Sequence, residues 1–132
     1  MISTSYGRII NIISTSVKQP IVGLGVSNTI RSAVAAWSKT LSLEICNDGI
    51  TVNNVLPGYT HTSRLDEIIK SKSIQSGLDI EEITAKLKKE VPLNRFANSN
   101  EIANLILFIA SKKSGYINGV NIPIDGGRLK TF

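Results

Sequence analysis

Few side chains in this sequence could do chemistry, and most of them are hydroxyls. Ser14 closes an apolar, β-branched run, Gly7-Arg8-Ile9-Ile10-Asn11-Ile12-Ile13. Ser27 and Arg31 follow in the first turns of a helical pattern. Pro57-Gly58 breaks a second apolar run, with Thr60 and Thr62 just after it. A serine hydroxyl can hydrogen-bond and orient a carbonyl oxygen, but it is a weak acid with a short reach. An arginine carries a fixed positive charge and can contact a hydroxyl. A turn at the C-terminal end of a strand lies where open α/β sheets bind ligands. Each residue also has a plainer reading. Ser14 is then a loop or cap serine, Ser27 an N-cap, Arg31 a solvated helix residue and Pro57-Gly58 an ordinary turn.

The rest of the titratable inventory excludes more than it offers. His61 is the one histidine and Cys46 the one cysteine. They exclude an internal disulfide framework and a cysteine-based zinc site, and one histidine makes no metal centre. Cys46 reads as a small inert hydrophobe, and a lone thiol fits a reducing cytoplasm. Lys and Arg number 15 against 10 Asp and Glu, a net charge of +5 in 132 residues. The basic residues are dispersed apart from Lys86, Lys88 and Lys89, and aromatics make up 5%. A nucleic-acid platform combines a basic stripe with stacking rings, so the charge reads as solvated surface. Hydrophobic residues at 42% argue against disorder. No apolar run approaches the roughly 18 residues of a membrane span, and MISTSYGR has no signal-peptide layout.

Elements must position the hydroxyls, and the pattern supplies them. The run ending at Ile13 reads as a buried strand. Ser27 to Ile45 reads as a long helix whose apolar face is Ile30, Ala33, Val34, Trp37, Leu41 and Ile45, stopped by Asn47-Asp48-Gly49. Trp37 belongs to the core or to an interface between copies. Ile50 to Leu56 reads as a second buried strand. Thr62 to about Glu90 holds two short helices split near Gly77, the second capped by Asp79. Ser99-Asn100-Glu101 opens a third clear helix with Ile102, Leu105, Ile106, Ile109 and Ala110 inward. Tyr116 to Ile124 reads as a third strand closed by Asp125-Gly126-Gly127. Strands alternating with helices predict an α/β fold with a parallel sheet.

Four segments in this order resemble the short-chain dehydrogenase/reductase family, close to its 3-oxoacyl-carrier-protein reductases. They are Gly7 to Ser14, the helix ending Lys39-Thr40-Leu41-Ser42-Leu43-Glu44, Gly49-Ile50-Thr51-Val52-Asn53-Asn54-Val55-Leu56-Pro57-Gly58 with Thr62 after it, and Tyr116-Ile117-Asn118-Gly119 through Ile124-Asp125-Gly126-Gly127. The resemblance covers essentially all of this chain but only the C-terminal half of the family pattern. It implies the C-terminal half of a Rossmann-type doubly wound parallel sheet, about three strands with covering helices. Residues 1–132 are then one partial domain, truncated before the family's glycine-rich phosphate-binding turn.

The resemblance also implies site roles. Ser14 falls at the family's catalytic serine. Ser27, 13 positions on, falls at its tyrosine and Arg31 at its lysine. Pro57, Gly58, Thr60 and Thr62 fall in the loop that contacts the nicotinamide half of NAD or NADP. The family's tyrosine donates the proton as hydride reaches a carbonyl, and a neighbouring lysine lowers its pKa. Tyr6, Tyr59 and Tyr116 have Ile10, Ser63 and Val120 four residues on, so no other register restores the Tyr-x-x-x-Lys pair. Two functions are therefore expected. One is the C-terminal part of an NAD(P)-dependent oxidoreductase acting on a small carbonyl or alcohol, a 3-oxoacyl thioester among them, a part that alone is expected to bind NAD(P) poorly and to turn nothing over. The other is a non-catalytic remnant or assembly module. A homo-oligomer paired through the long helix and the last strand is expected for either.

Overall fold

The computed structural model describes residues 1–131. Its strands and helices run β1 (Gly7–Ile12), α1 (Gly25–Glu44), β2 (Ile50–Pro57), α2 (Ser63–Ser76), α3 (Ile80–Lys89), α4 (Ser99–Ala110) and β3 (Asn121–Ile124). The strands form one parallel sheet in the order β1-β2-β3. Parallel neighbours need crossovers. The first is α1, and the second is α2, α3 and α4 together. Asn11 meets Ser38 of α1, whereas Arg8 meets the Ser111 carbonyl just past α4. Side chains alternate along a strand, so α1 and α4 cover opposite faces. The architecture is α/β with the sheet wound on both sides. Central β2 is accordingly buried from Ile50 to Leu56.

The sheet interior is not purely apolar. Asn11, Asn54 and Asn121 occupy paired register positions across all three strands. Asn11 Nδ2 donates to Asn54 Oδ1 at 3.0 Å and to Ser38 Oγ at 2.9 Å. Asn54 Nδ2 donates to Asn121 Oδ1 at 2.8 Å. Asn54 is only 3% exposed, and a buried amide is costly unless paired. Next to it, Asn53 Nδ2 donates to the Ile117 carbonyl at 2.9 Å. Asn118 Oδ1 accepts from the Val52 N–H, and its Nδ2 donates to the Ser42 carbonyl, both at 2.9 Å.

Those side-chain bonds explain the first correction. The third strand covers Asn121–Ile124, not the whole run from Tyr116. Before it, Asn118 accepts from the Val52 N–H of β2 and Asn53 of β2 donates to the Ile117 carbonyl in return, and the chain turns at Gly119 (φ +68°), where a Cβ would lie 2.5 Å from Ser42 Oγ. Tyr116 is fully exposed.

The long helix also differs. It begins at Gly25 with Leu24 at the cap position, so Ser27 lies inside the first turns and is not the N-cap. Its sheet-facing side is Ala35, Ser38 and Ser42, with Val34, Leu41 and Ile45 half-buried. Ile30 and Ala33, read as part of the buried face, face outward, and so does Trp37, which leaves the interface reading of its two. Small residues win the inner face because the helix lies close over β2 and the asparagines need hydroxyl and carbonyl partners. The helix ends at Glu44, and Gly49 (φ +69°) closes a separate 3-10 turn, Cys46–Asp48. Cys46 is exposed in that turn rather than buried.

The second crossover carries its own core of Leu65, Ile69, Ile83, Leu87 and Phe96, with Tyr59 and Leu78 against it. Its caps follow the expected chemistry. Gly77 ends α2 in the left-handed region, and Asp79 Oδ1 accepts from the Glu82 N–H at 2.7 Å. In α4, Ile102 and Ile109 are buried and Leu105 and Ile106 half-buried, but Ala110 is exposed. The cap of α4 is Asn98, in a capping box with Glu101.

Two measurements check this description. Asn54→Leu adds apolar area but removes the bonds to Asn11 and Asn121, leaving half-buried Asn11 with Ser38 alone. It should lower unfolding free energy in urea by about 1–3 kcal/mol. Unchanged or raised stability would contradict the ladder. Glu101 accepts both Arg95 guanidinium bonds at 2.7 Å and the Asn98 N–H at 2.9 Å. The Arg95 fork, then the backbone bond, holds its carboxyl down to about 2. A folded value below the unfolded one, about 4.3, gives stability that is present above the unfolded value. That stability is lost as pH falls from about 4.5 to 2. A carbon-detected NMR titration should find the low Glu101 midpoint and see it return toward the ordinary value in Arg95→Ala. An ordinary midpoint in the unsubstituted chain would contradict the geometry.

Candidate functional site

A cleft of about 540 Å³ opens at the C-terminal ends of β1 and β2, between them and the first turns of α2 and α4. Ser14 and Arg31 line one side and Pro57, Gly58, Thr60 and Thr62 another. Ile12, Leu65, Ile102 and Ile106 make the walls apolar. Six of the seven residues expected at a site thus surround one space. Ser27 does not line it. It lines a second hollow with Asn11, Leu24 and Ile30, and Arg31 borders both.

Ser14 lies two residues past β1 in extended backbone, and its Oγ accepts from the Ser16 N–H at 3.1 Å, opening a 3-10 turn. Its hydroxyl proton has no acceptor among the described residues, so it can donate to a ligand. Arg31 Nε donates to Ser27 Oγ at 3.2 Å, and Nη1 donates to the Ile13 carbonyl. One guanidinium therefore ties α1 to the end of β1, one peptide before Ser14. Its Nη2 has no acceptor among the described residues.

The opposite wall depends on a close approach. The Gly58 N–H donates to the Ile124 carbonyl at 3.0 Å, and a Cβ on Gly58 would lie 2.8 Å from Asp125 Cα. Only glycine lets the loop after β2 pass the turn after β3. The loop is then pinned to the strap before α4. The His61 N–H donates to the Ala97 carbonyl, and the Ala97 N–H to the Tyr59 carbonyl, both at 2.9 Å. Thr60 Oγ1 donates to the Gly58 carbonyl at 3.2 Å. Thr62 Oγ1 donates to the Thr60 carbonyl at 3.3 Å and accepts from the Leu65 N–H at 3.4 Å, capping α2.

Tyr59 borders the cleft without offering it an acid. Its hydroxyl donates to Glu90 Oε2 at 3.0 Å and accepts from Arg128 Nη2 at 3.1 Å, with that guanidinium over the ring at 4.4 Å. Burial pushes its pKa up, the Glu90 carboxylate adds to this, and Arg128 opposes it. This cluster went unread in the sequence. Its members lie 31 and 38 positions apart, and no local spacing marks them. His61 is exposed with its ring edge-on to Phe96 at 5.3 Å. Among the described residues, no group of three metal-binding side chains comes together, and no helix is long and apolar enough to cross a membrane.

The lining of the cleft contains two arginines and no carboxylate. Arg64 is paired at 2.9 Å with exposed Glu67. Arg31 has no acidic partner among the described residues. The arrangement can therefore orient an oxygen through Ser14, hold an anion or hydroxyl through Arg31 and enclose a flat apolar group between its walls.

A family model described as enoyl-(acyl carrier protein) reductase matches residues 1–128. The chain is 28% identical to the NADPH-dependent reductase BacG of Bacillus subtilis (strain 168) over 132 residues, all of this chain and 51% of BacG. It is 32% identical to the 3-oxoacyl-[acyl-carrier-protein] reductase FabG of Aquifex aeolicus (strain VF5) over 127 residues, 96% of this chain and 47% of FabG. A solved short chain dehydrogenase family protein from Francisella tularensis subsp. tularensis SCHU S4 aligns with a TM-score of 0.87 at 32% identity, covering 92% of this chain and 50% of that one. The chain spans about half the length of the curated relatives it matches. With its three parallel strands wound by helices on both faces, a Rossmann-type arrangement, it belongs to the short-chain dehydrogenase/reductase family.

Proposed function

We propose that this chain forms the substrate side of an NAD(P)-dependent oxidoreductase that interconverts a small carbonyl compound and its alcohol. The observation that carries the reading is the cleft at the C-terminal ends of β1 and β2, with Ser14 and Arg31 facing the Pro57–Thr62 loop. A nicotinamide cofactor supplies hydride equivalents when bound. The residues fit its nicotinamide end. Ile12, Ile13 and Pro57 suit a flat ring, and Thr60 Oγ1 keeps a lone pair for a carboxamide N–H. Pro57, Gly58, Thr60 and Thr62 would hold that end.

In this reading Ser14 donates its free proton as a hydrogen bond to the substrate oxygen. Arg31 takes the place of the family's lysine, whereas Ser27, which falls at its tyrosine, stands outside the cleft lining and reaches it only through Arg31. A serine hydroxyl is a far weaker acid than a phenol, so protonation is the step this pair serves least. A 3-oxoacyl thioester, the chemistry that FabG's name prints, is one substrate within the class. A second reading, a non-catalytic assembly module, draws support from the outer face of α1. There Val26, Ile30 and Trp37 are 76%, 58% and 53% exposed. Such a stripe suits a second copy of the chain.

Two experiments test these readings. Titration with nicotinamide mononucleotide should shift the backbone NMR signals of Ser14, Arg31, Gly58, Thr60 and Thr62. Shifts elsewhere, or none, would contradict the nicotinamide site. Binding without NADPH oxidation on any of a panel of small ketones would favour the assembly reading. Light scattering should give a dimer mass that Trp37→Glu reduces to a monomer's. A monomer in the unsubstituted chain would remove the pairing through α1.

A further inference from the structure

We propose that the substrate of this cleft carries a carboxylate and that Arg31 binds it. The inference takes the word substrate from the oxidoreductase reading, but the anion site stands on its own geometry. Five arginines have described partners, and three of them meet a carboxylate: Arg64 with Glu67, Arg95 with Glu101 and Arg128 with Glu90. Arg8 is spent on the Gly7, Ser111 and Gly49 carbonyls and the face of Tyr6. Arg31 differs from all four. It is half-buried at the edge of an apolar cleft, it has no acidic partner among the described residues, and the cleft lining contains no carboxylate.

Its hold on the protein leaves one part of the fork unused. Nε is occupied by Ser27 Oγ and Nη1 by the Ile13 carbonyl. These two bonds fix the guanidinium plane and leave Nη2 without an acceptor among the described residues. A fixed planar donor is suited to a planar carboxylate, and a charge-assisted bond of this kind is stronger than a neutral one. One uncompensated positive charge matches a monoanion. The partly desolvated charge gains more from an anionic partner than a water-exposed one would.

The neighbouring groups say what else the ligand has. Ser14 follows the Ile13 carbonyl that Arg31 binds, and its hydroxyl proton is free. A carbonyl or hydroxyl oxygen near the carboxylate therefore has its own donor. Ile12, Leu65, Ile102 and Ile106 offer an apolar body its contacts. The ligand class is an oxo acid or hydroxy acid with an apolar chain, which narrows the substrate away from a neutral thioester. Replacing the family's lysine with arginine then changes the residue's role from adjusting an acid to binding the substrate.

The test needs no nicotinamide nucleotide, so its failure is separate from a failure of hydride transfer. The 132-residue chain is titrated with hexanoate, its neutral isostere hexanamide, and inorganic phosphate, at constant ionic strength, following backbone and arginine side-chain NMR signals. Hexanoate should shift Arg31 Nε–H, Ser14 and Thr62 and bind at least tenfold more tightly than hexanamide. Arg31→Met should bring hexanoate down to hexanamide's affinity, and Arg31→Lys should fall between. Equal affinities for hexanoate and hexanamide in the unsubstituted chain, or hexanoate shifts centred away from Arg31, would overturn the proposal without any variant. Phosphate binding at Arg31 as tightly as hexanoate would also overturn it, assigning the guanidinium to a phosphate.

Discussion

Three asparagines in register, Asn11, Asn54 and Asn121, hold the strands of this sheet to one alignment. Apolar strands covered on both faces would tolerate several registers, because one isoleucine packs much like another. A slip by one residue turns each side chain to the other face. Here it would leave a buried amide unpaired at Asn54, with the loss that unpaired polar groups carry. Ser38 of α1 closes the ladder, so the same bonds set where that helix lies along the sheet. The cleft follows from this alignment. Arg31 reaches the Ile13 carbonyl because α1 is held at that height. Ser14 lies just past the end of one strand and Pro57 ends its neighbour because Ile12 is paired with Val55.

A second constraint acts at the opposite wall. The loop after β2 passes the turn after β3 so closely that Gly58 cannot bear a side chain. The turn in turn holds the helical crossover. Asp125 accepts the Gly127 and Leu129 N–H groups, and Arg128 reaches Glu90 at the end of α3 and Tyr59 in the loop. The α2–α3 hairpin has its own core and touches the sheet mainly through this region. The end of the sheet therefore carries a separately packed hairpin whose α2 helix walls the cleft.

Much of this was legible in the residues. Apolar β-branched runs located the first two strands and the helical period located the helices, because burial imposes those patterns directly. Asp79 and Gly77 were readable because caps and left-handed turns are local chemistry. Ser14, Arg31 and the Pro57–Thr62 loop were located by the family's spacing. The inner face of α1 was not legible. Hydrophobicity pointed Ile30 inward, yet Ser38 and Ser42 are inside: Ser38 Oγ accepts from Asn11, and small Ser42 lets the Gly119 turn approach while its backbone carbonyl accepts from Asn118. Asn53, Asn54 and Asn118 stood out only as members of the family-like segments, and their structural role needs partners more than 60 positions away. The Tyr59–Glu90–Arg128 cluster was hidden for the same reason. Long-range polar pairing leaves no periodic trace.

The fixed guanidinium joins these parts. The ladder sets the height of α1, α1 presents Ser27 and Arg31, and the end of β1 receives Arg31 beside Ser14. The most direct measurement is the arginine Nε–Hε NMR spectrum of the chain, with nuclear Overhauser contacts assigned. A resolved Arg31 resonance with hindered guanidinium rotation and contacts to Ser27 and Ile13 is the predicted result. A freely rotating Arg31 side chain with neither contact would contradict the account, because the cleft would then have no positioned charge.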